Sequence, residues 1–509
     1  MSAPQRRWLA AYLFCAAAAA LPFLATYRLP SADLPQHAAQ IALWKSFADR
    51  CYNFDAIYEI NWFTPYLAGY CIARLFAFVL TVNAALKLTM YVAALALVMT
   101  MRLLTERAGI DAWLALIGFP LAFGFSFYWG FVNFLIAVPL GIYIIILQYR
   151  QADAPTLRRA VLIACAGLLL MTSHALAVAV FIGIAAAVHL AYARSWRSAI
   201  LGLIPLAIPA PPLFLWFMWM RSQETRAQQP LQWQVGPARL LTFFRDVLAA
   251  APDPKAVAVV VVIIGAIALS GVRPARDWRR YLPVVGAAGA YLLLPANFFG
   301  QILLHQRFAM AVIPLALLAL DPAPPIVARP TARALVVIVV VAWMVVLTAR
   351  FHQFHGDAEG FDRMVDVMPA NERVVLLNLM SASDSVPGVP FLHFAGYYQE
   401  RKGGINGWSF SNNFPSLIRY KRNASVPRIA PIVTYDPRFF DWNRDASYDQ
   451  IIVRSPVDIA PLVFAGHQNE VRLSAHTGMW WLYTKEPRAN ACAPLENVDT
   501  RSRRPLLYW

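Results

Sequence analysis

Charge is the feature that this sequence has least of. Only 14% of its 509 residues are Asp, Glu, Lys or Arg, and 59% are hydrophobic. Soluble domains carry about 25% charged and about 45–50% apolar residues. The deficit is confined to residues 1–349, which form one apolar stretch after another. Composition therefore excludes an ordinary soluble protein for this part of the chain and indicates a polytopic integral membrane protein.

Acidic residues are especially scarce in the same region. Residues 1–349 contain 26 Lys or Arg but 12 Asp or Glu, whereas residues 350–509 contain 18 and 16. A nucleic-acid-binding protein would carry such a basic excess on a folded surface, but here it lies in loops between apolar helices. Cytoplasmic retention of Lys and Arg explains it better, and we expect no nucleic-acid partner. The chain thus divides into a transmembrane module, 1–349, and a soluble domain, 350–509.

Cysteines are few, and no pair of them has the spacing of a metal site. Cys15 and Cys165 fall inside apolar helices, where they are most simply core residues. Cys51 and Cys492 are both expected to face an oxidising compartment, which leaves a disulfide between them open. Internal repeats and low-complexity tracts are also absent from the sequence.

The topology follows from the apolar stretches and the basic loops between them. The stretches lie at 8–26, 64–82, 85–105, 112–128, 130–148, 159–172, 174–192, 198–220, 255–271, 281–295, 304–320 and 331–349. Basic loops at 150–159, 194–197, 271–280 and 327–333 alternate with pairs of stretches, as cytoplasmic loops do. Loop 27–62 should be external and Arg102 and Arg107 cytoplasmic, so only one of the two stretches between them can cross the membrane. We expect 64–82 to be the one that does not cross, because Arg74 lies in its middle. About 11 spans remain, with a cytoplasmic N-terminus and an external residue 350.

The soluble domain has the pattern of a small α/β fold. Short apolar runs at 372–380 and 448–455 predict buried strands, and 471–485 predicts a hairpin with its turn at 476–478. Residues 360–368 have helical spacing. The expected fold is therefore mainly α, a transmembrane helix bundle with a small C-terminal α/β domain outside the cytoplasm.

The first external loop, 27–66, holds the most informative carboxylate. Asp33 precedes an amphipathic pattern, LPQHAAQIALWKSFA, which predicts a helix at the membrane surface. Asp is a preferred N-cap and Pro35 suits the first turn, so a capping role and a functional carboxylate are both open for Asp33. His37 lies one helical turn later, and Glu59 is a further acidic candidate.

Later external segments place polar residues at helix ends. These candidates are Asn133, His174, Arg221, Arg245, His305 and Arg307. His174 could simply bond a free backbone carbonyl. Outward arginines either snorkel to lipid head groups or bind phosphate through their planar fork. Both interpretations are open for Arg307, which directly precedes an apolar helix.

The arrangement resembles the GT-C glycosyltransferases, which include the protein O-mannosyltransferases and the bacterial aminoarabinose transferases. SADLPQHAAQIALW (31–44) looks like their first-loop region, and Asp33 matches the position of their catalytic Asp. Residues 65–104 resemble their following helices, and Arg307 lies in a late loop where the family often places a phosphate-binding residue. The chain is most similar to the uncharacterised bacterial branch, which implies the inner membrane as its location.

Two family features are missing. The second external loop, SFYWGFVNF, has no acidic pair of the kind found in metal-dependent members, and the WWD motif of oligosaccharyltransferases is absent. Without carboxylates there, that loop lacks the oxygen ligands that Mg²⁺ or Mn²⁺ requires. The resemblance therefore favours a metal-independent enzyme without a cofactor, and it leaves Mg²⁺ or Mn²⁺ open.

The leading hypothesis is transfer of a sugar from a polyprenyl-phosphate donor to an unidentified acceptor at the outer face of the membrane. Asp33 would act as general base, and Arg307, with Arg221 or Arg245, would neutralise the departing lipid phosphate. His37, Glu59, Asn133, His174 and His305 are the further candidates for substrate binding. Two alternatives are a non-catalytic anchor that presents its soluble tail and a lipid or solute transporter, which would need ionisable residues at mid-membrane.

Overall fold

The computed structural model describes residues 2–223, 231–233, 235–248, 254–298, 301–413 and 415–485, together with Leu495. Helices dominate the first part of the chain. They are α1 (Ala3–Leu24), α2 (Leu34–Lys45), α3 (Phe54–Ile57), α4 (Ala68–Phe76), α5 (Val82–Ala108), α6 (Gly118–Ala122), α7 (Phe125–Trp129), α8 (Val132–Asp153), α9 (Leu157–Ser173), α10 (Ala175–Tyr192), α11 (Trp196–Ala207), α12 (Ala210–Gln223), α13 (Ala238–Leu248), α14 (Pro254–Leu269), α15 (Leu282–Leu293), α16 (Ala309–Ala316) and α17 (Arg329–Val367).

Shorter helices and strands make up most of the rest. The helices are α18 (Ala395–Lys402), α19 (Pro431–Tyr435), α20 (Trp442–Asp445) and α21 (Ala460–Val463). The strands are β1 (Tyr58–Ile60), β2 (Val272–Pro274), β3 (Asn297–Phe298), β4 (Gln301–Ile302), β5 (Leu320–Pro322), β6 (Arg373–Asn378), β7 (Ile405–Asn406), β8 (Ile418–Tyr420), β9 (Gln450–Arg454), β10 (Arg472–Thr477) and β11 (Trp480–Thr484). Short 3₁₀ helices lie at Ala112–Ile117, Trp278–Tyr281, Gln306–Phe308, Leu317–Ala319, Phe410–Asn412, Pro437–Phe439 and Gln468–Glu470.

Six helical runs within the described residues are long and apolar enough to cross a membrane. They are α1, α5, the run Ala112–Trp129, α8, α10 and α17. The pair α11 and α12 adds a seventh if it is one span, bent by 47°, and Pro209 in the break lacks the N–H that a continuous helix needs. The number is below the predicted 11 because other apolar stretches form shorter helices, such as α9 with 17 residues and α15 with 12.

The stretch 64–82 forms no span, as predicted. Its helix, α4, has nine residues and is thus about 14 Å long, whereas a crossing takes about 20 residues. Leu75, Phe78 and Val79 are exposed large apolar side chains, and the Arg74 guanidinium lies 4.4 Å from the centre of the Phe78 ring.

Helix α17 connects the two parts of the chain. It has 39 residues, a length of about 58 Å, and it continues through position 350 into the segment 360–368 that was predicted to be helical. Its buried residues Trp343, Phe351 and Phe361 belong to one hydrophobic core. Helix α1 packs along α17, so the first and last spanning helices lie side by side.

The C-terminal sheet has five strands in the order β10-β11-β9-β6-β7. Strand β6 is parallel to both β7 and β9, and β9, β11 and β10 pair antiparallel in succession. Strand β6 is buried on both faces, because Val374 and Leu376 join the main core while Val375 and Leu377 join a second, smaller one. The predicted strands and the hairpin are confirmed, with Gly478 at φ +58° in its turn.

The loop 27–66, which was predicted to be external, packs against the C-terminal region. Helix α18 crosses α2 so closely that a Cβ on Gly396 would lie 2.5 Å from the Pro35 carbonyl oxygen. Strand β1 of the loop pairs with β8, and the Gln40 amide donates to the Ile418 carbonyl at 2.9 Å and accepts from the Ile418 N–H at 2.7 Å. The loop is thus held between the membrane helices and the tail.

A buried ion-pair network joins the start of this loop to the tail. Arg28 is 0% exposed. Its Nη1 donates to Glu400 Oε2 at 2.5 Å and its Nη2 donates to Asp362 Oδ1 at 3.1 Å. The guanidinium also lies 3.9 Å from the centre of the Tyr397 ring. One cation therefore connects the loop, α17 and α18.

The cysteines differ in their oxidation state. Cys15, Cys71 and Cys165 are free thiols, whereas Cys51 in the first loop is disulfide-bonded. Cys492, the partner considered from the sequence, lies outside the described residues. A disulfide in this loop is typical of an oxidising compartment.

Replacing Arg28 by Met should destabilise the protein strongly. The change removes the cation shared by Asp362 and Glu400, and breaking a buried pair in this way typically costs about 3–5 kcal/mol. The measurement is the thermal unfolding midpoint of the purified protein in detergent. Arg363→Met is a matched control on α17, because Arg363 forms an exposed i,i+4 pair with Glu359 and such pairs contribute little. Equal small shifts for both variants would contradict the importance of the Arg28 network.

Candidate functional site

The carboxylate of Asp33 lies where the first loop enters α2. The Asp33 N–H donates to the Trp129 carbonyl at 2.9 Å, and the Ser31 hydroxyl donates to the Phe127 carbonyl at 2.8 Å. Gly130, at φ +85°, follows α7, and a Cβ there would lie 2.9 Å from the Leu34 nitrogen. Hydrogen bonds to the main-chain carbonyls of α7 therefore hold the loop in place. They do not use the Asp33 side chain, which is left available.

Asp33 precedes α2 as predicted, but its side chain makes no capping hydrogen bond. It is 8% exposed, and one carboxylate oxygen lies 3.5 Å from His393 Nε2. Burial raises the pKa of Asp33 to about 7, although the positive charge of Arg307 acts in the opposite direction. A buried carboxylate that caps nothing is typical of a functional group rather than of a structural one.

Arg307 is buried and held in a fixed orientation. Its Nη1 lies 2.9 Å from His174 Nε2, and its Nη2 and Nε donate to the carbonyls of Ile302 and Leu303 at 3.0 and 3.3 Å. Because a guanidinium only donates, His174 Nε2 is the acceptor and carries no proton. The Phe131 ring centre lies 3.8 Å from the guanidinium. Sequence reasoning left snorkelling open for Arg307, but these contacts hold it inside the protein.

His37 lies one turn along α2 from Asp33. Its Nδ1 is 2.8 Å from the Tyr70 hydroxyl, and its ring meets Phe410 edge-on. Burial lowers the pKa of His37 to about 4, so the imidazole is neutral at physiological pH. It can therefore act here as a hydrogen-bonding group without adding a charge near Asp33.

The C-terminal region supplies a residue that sequence reasoning missed. His393 stacks flat on Trp408, with ring centres 3.9 Å apart and planes at 2°. Burial lowers the pKa of His393 to about 3. Gln36 holds this segment by donating to the Trp408 carbonyl and accepting from the Phe410 N–H. No local pattern in FLHFAG marks His393 as functional, because its proximity to Asp33 arises from packing of α18 on α2.

Two other candidates have structural partners. The Asn133 side-chain oxygen accepts from the Gly69 N–H at 2.8 Å, which ties α4 to α8. Glu59 pairs with Arg419 at 2.5 Å across β1 and β8. Both contacts hold elements that surround the loop, and neither brings its residue into contact with Asp33.

The remaining candidates lie at the other helix ends. Arg245 is half-exposed and its Nε donates to Asp246 at 3.2 Å, Arg221 is exposed near the end of α12, and His305 is buried edge-on to Tyr291. The structure thus places Arg307 close enough for its charge to act on the Asp33 carboxyl, with His37 one helical turn from Asp33 and His174 bonded to Arg307.

Within the described ranges, no group of three or more His, Cys, Asp or Glu residues is arranged to hold a metal ion. What the site does offer is one carboxylate with a pKa near neutrality and one oriented guanidinium. Such a pair can accept a proton at one point and stabilise an anion at another.

Asp33 should titrate near neutral pH in the intact protein. Infrared difference spectra should show a protonated carboxyl C=O band that is absent from Asp33→Asn and is lost with a midpoint at about pH 7. Arg307→Gln should move this midpoint upward, because the Arg307 charge favours the ionised form of Asp33. A midpoint near pH 4 in the unmodified protein, or one that the Arg307 variant lowers, would contradict the arrangement.

Comparison with known proteins places the fold. No family model matches the chain, and no curated protein matches it by sequence. Among solved structures, the chain is similar to the arabinofuranosyltransferase AftD from mycobacteria, with 14% sequence identity and a TM-score of 0.50. The match covers 96% of this chain and 40% of that protein. This multi-pass chain therefore has the fold of a GT-C glycosyltransferase, as its resemblance implied.

Proposed function

We propose that this chain is a membrane glycosyltransferase that moves a sugar from a polyprenyl-phosphate donor to an acceptor hydroxyl at the outer face of the membrane. The observation that carries the proposal is the buried Asp33 carboxylate, whose pKa burial raises to about 7 while the positive charge of Arg307 acts to lower it. The likeness to AftD supports the class of reaction, while the sugar and the acceptor are left open by a fold-level similarity.

In this mechanism Asp33 takes the proton of the acceptor hydroxyl. The acceptor oxygen forms a bond to the anomeric carbon of the donor sugar, and the bond from that carbon to the phosphate oxygen breaks. A general base works best when its pKa lies near the working pH, and burial brings the Asp33 pKa into that range. His393 and His37 remain neutral beside Asp33 and so do not compete for the proton.

Arg307 is the group that would stabilise the leaving polyprenyl phosphate. A guanidinium matches phosphate oxygens with two parallel N–H donors, and charge stabilisation is most effective when the donor is already in place. His174 and the carbonyls of Ile302 and Leu303 provide that preorganisation. A lipid-linked donor also explains why the site lies at the ends of membrane helices.

Two observations support the outer face as the location of the site. Cys51, in the same loop as Asp33, is disulfide-bonded, and disulfides persist in oxidising compartments. The basic loops at 271–280 and 327–333 lie at the other ends of the helices that lead to the site, as retention in the cytoplasm requires. We propose a bacterial inner membrane with a cytoplasmic N-terminus.

The decisive experiment compares Asp33→Asn with unmodified protein in proteoliposomes, using a labelled polyprenyl-phosphate sugar and a membrane extract as the acceptor source. The Asn side chain keeps the shape of Asp but takes up no proton, so transfer should fall at least about a hundredfold. Asp55→Asn is the matched control, because Asp55 is an exposed carboxylate of the same loop. Activity should persist in EDTA, because we propose a metal-independent reaction.

The pH profile of the same reaction tests the base directly. Because Asp33 acts only when ionised, kcat/KM should rise with pH through a midpoint at about 7. Transfer that survives in Asp33→Asn would remove Asp33 from the mechanism. Movement of the donor across the membrane without a new covalent product would favour a transporter. Absence of both transfer and transport would favour a non-catalytic anchor that presents the tail.

Arg307 variants separate phosphate binding from simple charge. Arg307→Ala should weaken donor use by roughly tenfold to a hundredfold, the usual effect of losing a charge-assisted hydrogen bond. Donor use by Arg307→Lys should lie between that of the unmodified protein and that of Arg307→Ala, since the Lys ammonium keeps the charge but not the planar pair of N–H donors. The measurement is donor KM and kcat, with Arg438→Ala as the control because Arg438 is exposed on the tail and pairs with Asp436. Unchanged donor kinetics in Arg307→Ala would exclude Arg307 as the phosphate ligand.

A further inference from the structure

A pocket lies at the opposite end of the helix bundle from Asp33. It has a volume of about 880 Å³ and is formed mainly by the start of α1, the end of α5 and the start of α17. Asp33 follows the far end of α1, which has 22 residues and is therefore about 33 Å long. The pocket is thus separate from the site described above and belongs to the end of the molecule that carries the N-terminus.

One wall of this pocket is formed by apolar side chains that are exposed on the outside of the helix bundle. Leu9 of α1 and Met99 of α5 line it, and both are exposed large apolar side chains on helices that are long enough to cross a membrane. Ala96 and Leu103 continue the same wall along α5. Side chains that face outward from spanning helices meet lipid chains, so this wall is continuous with the hydrocarbon of the membrane.

The mouth of the pocket is positively charged. Four arginines line it together with two carboxylates. Arg102 pairs with Glu106 at 2.9 Å, and Arg333 pairs with Asp111 at 2.8 Å. Arg7 and Arg329 are exposed and form no ion pair within the part of the chain that the structure describes. The mouth therefore has an excess of two cations that the protein does not neutralise.

Two tryptophans fix the depth of this mouth. Trp8 donates its indole N–H to the Ala112 carbonyl at 3.1 Å, and the Arg102 guanidinium lies 5.2 Å from its ring. Trp113 lies 5.6 Å from the Arg333 guanidinium. Indoles that combine an apolar body with a bonded N–H prefer the level of lipid head groups, so the arginines lie where a phospholipid carries its phosphate.

We propose that this pocket binds an anionic phospholipid. Its phosphate would lie between Arg7 and Arg329, and one acyl chain would lie along Leu9 and Met99. Guanidinium groups match phosphate oxygens well, and basic pockets between membrane helices suit acidic head groups. A zwitterionic head group would bring its own ammonium against the two free arginines, so the pocket selects net negative lipids. This site is independent of the proposed reaction.

Lipid retention tests the proposal on the full-length protein. The protein is exchanged into mixed micelles of phosphatidylglycerol and phosphatidylcholine, and bound lipid is counted by native mass spectrometry. Unmodified protein should retain phosphatidylglycerol about tenfold or more over phosphatidylcholine. Arg7→Gln combined with Arg329→Gln should abolish this preference. Arg158→Gln combined with Arg197→Gln is the matched control, because it removes the same charge from exposed positions in the first turns of α9 and α11, outside the pocket.

A third variant tests the wall without changing the charge. Ala96→Trp fills the apolar part of the pocket, so it should also release the lipid. Glycerol phosphate, which has the head-group chemistry but no chains, should not displace phosphatidylglycerol. Equal loss in the two double-arginine variants would reduce the effect to general surface charge, and full retention in Ala96→Trp or displacement by glycerol phosphate would overturn the assignment of a lipid chain to this wall.

Discussion

The position of the site depends on one buried guanidinium. Arg28 is inaccessible to solvent and remains protonated at any physiological pH, so its charge is tolerable only beside carboxylates. Those carboxylates, Asp362 and Glu400, come 334 and 372 residues later in the chain. Since Arg28 precedes Asp33 by five residues, the contacts that satisfy its charge also fix the path of the chain into the site. The tail thereby determines where the first loop lies.

The chemistry of Asp33 follows from two opposing effects on its carboxyl. Burial favours the neutral form, whereas the charge of Arg307 favours the ionised form. Their balance raises the pKa to about 7 and leaves the group able both to accept a proton and to release it near neutral pH. An exposed carboxyl, with a pKa of about 3.9, would be a much weaker base. The main-chain contacts with α7 permit this balance, because they hold the loop without using the side chain.

Sequence patterns identified those parts of the fold and the site that depend on local order. Apolar stretches and basic loops indicated a membrane helix bundle, and Val-rich runs indicated β6 and β9. The start of α2 indicated Asp33, and a helix end indicated Arg307. His393 and the Arg28 network were missed because their partners are more than 300 residues distant, and hydrophobic periodicity carries no information on such pairs. Within the described residues, fewer helices than the 11 predicted are long and apolar enough to cross a membrane, because periodicity detects apolar character better than it detects breaks such as the one at Pro209.

The tail forms part of the boundary of the space in which Asp33 can act. His393 Nε2 lies 3.5 Å from the Asp33 carboxylate, and a hydrogen-bonded group lies about 3 Å from its acceptor. Any group bonded to that carboxylate oxygen is therefore within about 6.5 Å of His393 Nε2. The flat contact between His393 and Trp408 restricts how that imidazole can turn, because rotation of the ring would break the stacking. A group hydrogen-bonded to Asp33 would accordingly lie near a rigid aromatic surface from the C-terminal region as well as near the helices of the membrane module.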